Sequence, residues 1–288
     1  MKKVSTIRKA PAPHWVGDGF PVRSIISAHT MGDTVSPFLL LDYAAPYEFP
    51  PSDERLGVDE HPHKGFETVT IVFEGELEHR DSAGNSGKIG RGDVQWMTAG
   101  AGIVHEEKHS AEFDRNGGKF HMIQLWVNLP AKDKSARPGY QTLLKSDIPT
   151  VELAEGTGTL RVIAGEFKGT KGPANTFTSV NLWDIRLNSG SRAPLNVPEG
   201  FTTAVLVLSG EVKVNGSETV GESELAIFDR DGSDIQLEAS ADTHLVLLSA
   251  LPIDEPVVAY GPFVMNTKEE ITHAIHEYQT GKMGRLAA

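Results

Sequence analysis

The chain has no cysteine in its 288 residues. That excludes disulfide bonds and thiolate chemistry, and it is compatible with a reducing cytoplasm, where we expect the protein to reside. No run of about 18 apolar residues occurs, so no membrane-spanning helix is predicted. Two lysines follow Met1, but no apolar segment lies behind them, and no signal peptide is read there. Basic residues are also in short supply, with 27 Lys and Arg against 39 Asp and Glu, for a net charge of -12. Non-specific binding to a phosphate backbone requires clustered basic residues, so direct contact with nucleic acid is not expected.

A chain of this length exceeds one ordinary domain and suits two, each with its own core. Short apolar runs such as Trp15 to Pro21, Val22 to Ser27 and Pro37 to Asp42 are separated by Gly, Pro and Asp and read as strands. Pro46-Tyr-Glu-Phe-Pro-Pro51 is expected to be an irregular loop. Segments of alternating polarity then follow at the spacing of an all-β barrel or sandwich. The expected division is a first barrel over 1-134, a polar linker over 135-157, and a second barrel over 158-288 that ends in a helix. For that helix, Thr267-Lys-Glu-Glu270 has the form of a capping box. Ile271, Ala274, Ile275 and Tyr278 continue it at i, i+3, i+4 and i+7, and Gly281 stops the pattern.

Chemistry concentrates between Gly57 and Glu107. Residues two apart in a strand share a face, with Cα atoms about 6.5 to 7 Å apart. His61-Pro-His63 is one such pair and His105-Glu-Glu107 another. If the two segments lie side by side, three imidazoles and a carboxylate converge, a nitrogen and oxygen set that suits a divalent transition metal. His79, His109 and His121 are read as surface or hydrogen-bonded histidines, and His273 and His276 as the solvated flank of the C-terminal helix. Phe66, Trp96, Met97 and Trp126 are read as core or pocket wall.

The two motifs, His61-Pro-His-Lys-Gly-Phe-Glu-Thr-Val-Thr and Trp96-Met-Thr-Ala-Gly-Ala-Gly-Ile-Val-His-Glu-Glu107, resemble the paired signature of the cupin superfamily and, more narrowly, the pirin family. The likeness continues through Gln124 to Pro130, Arg161 to Glu166 and Gly261 to Thr267. It implies two cupin (jelly-roll-like) antiparallel β-barrels packed face to face, with the metal in the first. It also implies that Glu107, rather than Glu67, is the carboxylate ligand; Glu67 is expected to orient a ligand imidazole from behind.

An internal repeat agrees with two barrels. Lys64 to Leu77 aligns without gaps with Glu199 to Val212, and Asp93 to Met97 with Glu224 to Phe228. Asn196, Pro198, Gln236 and Glu238 then stand where His61, His63, His105 and Glu107 stand, so only the first copy is expected to hold a metal.

Three imidazoles and a glutamate leave two positions of an octahedral ion open. We expect one ion per chain, Fe(II) first, with Mn, Ni, Co, Cu or Zn as alternatives, because affinity selects poorly among them. Such a site in an aliphatic-walled barrel suits a bidentate oxygen ligand such as a hydroxy-ketone. The resemblance implies oxygen-dependent cleavage of a flavonol, quercetin 2,3-dioxygenase activity, with a small aromatic substrate and O2 as partners and Glu107 as ligand and general base. It also implies a competing role, an iron-dependent regulator that binds a transcription factor or a metabolic enzyme. A third reading, a sugar isomerase, calls for a pocket rich in Lys and Arg, of which only Lys64 and Arg91 lie near the motifs. A monomer is expected.

Overall fold

The computed structural model describes residues 1–286. Twelve strands take in the first half of the chain: β1 (Val4–Lys9), β2 (His14–Val16), β3 (Phe20–Ser27), β4 (Phe38–Phe49), β5 (Gly57–His63), β6 (Phe66–Glu74), β7 (Leu77–Asp81), β8 (Ser86–Ile89), β9 (Val94–Thr98), β10 (Ile103–His109), β11 (Gly118–Asn128) and β12 (Gly139–Leu143). Among the described residues no helix is long and apolar enough to cross a membrane.

One compact unit comprises Ala12–Met31, Phe38–Lys145 and the chain from Ile253 onward. Its seven-stranded sheet runs β12-β9-β6-β11-β4-β3-β2 and its four-stranded sheet β5-β10-β7-β8, with antiparallel pairing throughout. Phe20, Val22, Ala44, Val72, Phe120 and Met122 form an apolar cluster inside it. The C-terminal helix spans Lys268–Gln279 and starts at the expected capping box, Thr267 with Glu270. It buries Ile271 and Ala274 while Tyr278 and His273 stay exposed.

The other unit comprises Met1–Pro11, Gly32–Pro37 and Ser146–Pro252. Its seven-stranded sheet runs β1, Glu224–Phe228, Thr202–Ser209, Thr243–Ala250, Val180–Leu187, Gly158–Ala164 and Thr150–Glu152. Its four-stranded sheet is Arg192–Asn196, Asp234–Ala239, Glu211–Val214 and Glu218–Gly221. Leu160, Trp183, Val205, Leu245 and Leu247 belong to the apolar cluster that fills it.

The units are therefore not consecutive segments of chain. β1 lies outside the expected first barrel because it pairs with Glu224–Phe228, and Lys2 is anchored beside it by Nζ donating to the carbonyls of Phe201, Asp229 and Arg230. The C-terminal helix, placed by sequence with the second barrel, instead packs in the unit of the first. The expected linker is divided too: β12 is an edge strand on β9, Thr150–Glu152 is an edge strand of the other sheet, and the break falls at Lys145 and Ser146. Pro46 to Phe49 is strand rather than loop. Between the pairs Phe120↔Tyr47 and Met122↔Ala44 the register slips, so Pro46 falls in a bulge, where a missing N–H costs no ladder bond.

The repeat is visible in the strand pairing. Val69 faces Trp96 and Ile71 faces Val94, as Ala204 faces Ile227 and Leu206 faces Leu225. The strands at the ligand positions depart from it by two residues. His61 pairs with His105, whereas Gln236 pairs with Pro194 and Asn196 with Asp234.

Glu67 lies on β6 three residues before Thr70, so the two side chains leave opposite faces of the sheet. Its Oε1 accepts from Thr98 Oγ1 at 2.8 Å, and it touches no ligand imidazole; strand parity overturns the role expected for it. Burial pushes its pKa up from 4.5 to about 7 against the opposing bond from Thr98. A carboxyl whose folded-state pKa is raised weakens the fold as pH climbs from 4.5 to about 7, and the full cost, about 3 kcal/mol at ~1.4 kcal/mol per unit, is present above that window. Glu67→Gln removes the charge. The variant should match the wild type in denaturant unfolding at pH 4.5 and exceed it at pH 8.

Candidate metal centre

Three neighbouring strands of the four-stranded sheet each present a pair of residues two apart. β5 offers His61 and His63, β10 offers His105 and Glu107, and β7 offers His79 and Asp81. The pairing aligns them: His105 faces His61 on one side and Asp81 on the other, and Glu107 faces His79. A bulge between His105 and Glu107 shifts the β5 register there. The rings of His61, His63 and His105 gather with centroids 4.3 to 4.9 Å apart. Their ligand nitrogens lie within 4.8 Å of one another, and a second set, His79, His105 and Glu107, meets the same limit. Sequence reasoning thus placed all four residues on one patch, but Glu107 joins the cluster through His105 and does not sit equally near all three imidazoles.

Hydrogen bonds decide which nitrogens are free. His61 Nδ1 donates to the Asp59 carbonyl at 2.7 Å, which leaves Nε2 as a lone pair. His79 Nε2 lies 3.2 Å from Asp81 Oδ2, and a carboxylate can only accept, so the proton is on Nε2. His79 Nδ1 is then an acceptor, and it lies 3.3 Å from His105 Nδ1, which must donate. The remaining nitrogen, His105 Nε2, is buried with no hydrogen-bond partner, as is His63 Nδ1. Burial, and then the neighbouring imidazoles, hold His63 and His105 well below the usual histidine pKa. Neutral rings with orphaned lone pairs are what a divalent cation requires, and the residues present fit one.

Glu107 is supplied from the opposite sheet. Thr70 Oγ1 and Gln95 Nε2 donate to its Oε1 at 3.3 and 3.1 Å, and Gln124 Nε2 donates to its Oε2 at 2.7 Å. Tyr140 O–H donates to Gln95 Oε1 at 3.1 Å, which turns the amide's N–H groups toward Glu107. These donors lie in one transverse row. Gln124 faces Thr70 and Thr70 faces Gln95, and the row extends the other way through Asp42 to Ser24. The second barrel's matching row is apolar: Val162, Trp183, Leu247, Val205 and Ala226 face one another in the same order.

The patch and the row border a cavity of about 330 Å³, reached by His61, His63, Glu107, Gln124, Asp42 and Ser24. Val16, Phe20, Val22, Leu40, Val58, Met122 and Trp126 supply its apolar walls. Trp126 stacks on Phe66 at 4.3 Å, and Trp96 and Met97 are buried elsewhere in the core. No Lys or Arg reaches the cavity; Lys64 pairs with Glu277 and Arg91 with Glu74, which removes the basis for a sugar-isomerase pocket. His109 and His121 are buried among aromatic rings elsewhere. His79 and Asp81 were missed, although His79-Arg-Asp81 has the spacing of the other two pairs.

Two antiparallel barrels in one chain, one carrying a His-x-His pair beside a His-x-Glu pair, define a bicupin with a candidate metal centre. Residues 19–127 match the Pirin family model and residues 182–284 that of the Pirin C-terminal cupin domain, and the chain belongs to the pirin family. A Pseudomonas aeruginosa protein named "Putative quercetin 2,3-dioxygenase PA2418" is 53% identical over 99% of both chains. A crystal structure of quercetin 2,3-dioxygenase from Acinetobacter baumannii superposes over 100% of both chains with a TM-score of 0.97 and 51% identity. A bacterial pirin from Escherichia coli in complex with nickel(II), 23% identical and covering 86% of this chain and 99% of its own, shares the fold with a TM-score of 0.63.

His79→Phe keeps a ring against Tyr140, on which His79 stacks at 4.6 Å, but removes the acceptor for His105. Metal affinity in chelator-competition titrations should fall by about 10- to 100-fold. Unchanged affinity would show that His105 needs no such partner.

Proposed function

We propose that this protein is an Fe(II)-dependent dioxygenase that opens flavonols such as quercetin, with His61, His63, His105 and Glu107 holding the ion. The observation that carries the reading is the pair of partnerless ring nitrogens on His63 and His105, clustered with His61, where His61 and His63 line an apolar-walled cavity of about 330 Å³. Full-length likeness to proteins named for quercetin 2,3-dioxygenase activity supports the choice of substrate. A bound divalent ion would supply electrophilic activation of the substrate's 3-hydroxyl and 4-keto oxygens and a docking point for O2.

The chain's own residues do the rest. Trp126, Phe20, Val22 and Met122 exclude water and suit a flat aromatic ring. Glu107 takes the proton of the 3-hydroxyl, and its three donors hold the carboxylate at a set position for that transfer. Neutral His63 and His105 add no charge that would compete with a cation.

The test couples metal content to oxygen consumption on quercetin. Wild type should carry about one iron per chain and take up oxygen, and His61→Ala should lose both. Glu107→Gln, assayed at matched metal content, should lower kcat by about 10²- to 10⁴-fold with a smaller change in KM. Bound metal without oxygen uptake would favour the regulatory role, in which the loaded site shapes a surface for a protein partner. Failure of the wild type to bind any divalent metal would overturn the assignment of the site.

A further inference from the structure

The polar row does not end at Glu107's donors. Asp42 stands directly opposite Gln124 on the adjacent strand, one strand spacing of about 4.8 Å farther along the cavity floor. Directly paired residues of an antiparallel sheet share a face, and Asp42, Ser24 and Gln124 all line the cavity that His61 and His63 open onto. Ser24 Oγ donates to Asp42 Oδ1 at 2.6 Å. Asp42 as a residue is only 7% exposed.

A carboxyl at this depth needs a reason. The fold does not supply one, because Trp183 and Val162 occupy the corresponding places of Asp42 and Ser24 in the second barrel and pack there as core. Glu107 does not require it either, since its hydrogen bonds come from Thr70, Gln95 and Gln124. No Lys or Arg lines the cavity, so none there makes Asp42 half of an ion pair. Burial raises its pKa, against the opposing bond from Ser24 and the charge of His14. A neutral hydroxyl, able both to donate to and accept from a carboxyl, is the partner such a group fits.

We propose that Asp42, positioned by Ser24, recognises a phenolic hydroxyl of the substrate remote from the 3-hydroxy-4-keto pair and so selects polyhydroxylated flavonols. This rests on the flavonol reading of the site. Gln124 stands between the two ends of the row, one strand from Asp42 and bonded to Glu107, so a single rigid aromatic ligand can meet both.

The experiment measures Kd anaerobically, by quenching of tryptophan fluorescence, on iron-loaded protein with two ligands: quercetin, and 3-hydroxyflavone, which keeps the 3-hydroxy-4-keto pair and lacks the other hydroxyls. Asp42→Leu should weaken quercetin binding by about 10- to 100-fold and change 3-hydroxyflavone by less than about threefold. Asp42→Asn, which keeps a polar group of the same shape, should fall between, and Ser24→Ala should show the same selectivity in smaller measure. These two variants carry the comparison if the leucine variant does not fold. An equal loss for both ligands, or none for either, would overturn the role of Asp42 while leaving the flavonol reading intact. If the wild type binds neither ligand, the flavonol reading falls and this inference with it.

Discussion

The site depends on the register between β5 and β10. Alternate side chains of a strand share a face, so a slip of β5 by one residue against β10 would turn His61 and His63 away from the face that carries His105 and Glu107. The turns at the strand ends hold that register. Gly65 N–H donates to the Gly100 carbonyl at 2.9 Å, linking the turn after His63 to the turn before β10. Both glycines have positive φ, 88° and 46°, and a Cβ on either would lie 2.0 to 2.2 Å from a backbone oxygen, that of Val264 or Ala136. Only glycine fits either place. The buried Lys134 ammonium adds a clamp, donating to the carbonyls of Gly65 and Val264 and to Asn128 Oδ1.

Once the strands are in register, electrostatics divides the interior. Three imidazoles gather on one sheet, and the opposite sheet offers only hydroxyl and amide donors to Glu107. The proton positions propagate inward from Asp81, a buried carboxylate. Burial pushes its pKa up, but hydrogen bonds from His79 and from the side chain and backbone of Asn85 outweigh that and hold it low. A charged Asp81 fixes the tautomer of His79, and His79 fixes that of His105. His105 Nε2 is thereby left unprotonated and without a partner, the state that the proposed cation would need with no rearrangement on binding.

What could be read from the sequence was whatever is local in the chain. His61 with His63, and His105 with Glu107, declare themselves by a spacing of two; the capping box at Thr267 and Glu270 does so by a spacing of three. The floor of the pocket could not be read that way. Asp42, Thr70, Gln95 and Gln124 lie on four strands spread over some 80 residues of chain, and only the ladder registers make them neighbours. The same limit hid β1, whose partner strand begins more than 200 residues later, and the return of the C-terminal helix to the first unit. Glu67 was misread for a different reason, since its motif position is right while the parity of β6 sends its side chain to the other face.

The second barrel shows why the features of the site come as a set. Its strands Thr202–Ser209 and Glu224–Phe228 pair as β6 and β9 do, so the fold tolerates either kind of interior. It has neither the histidines at the ligand positions nor the polar row; Trp183, Leu247, Val205 and Ala226 fill the floor with apolar packing. Keeping the row without Glu107 would leave two amides and a hydroxyl buried with no acceptor, at about 1 to 3 kcal/mol each. Keeping Glu107 without the row would strand a buried carboxylate, which is costlier still. Between these two unstable halves, a barrel of this kind is stable either fully equipped or fully apolar, and this chain contains one of each.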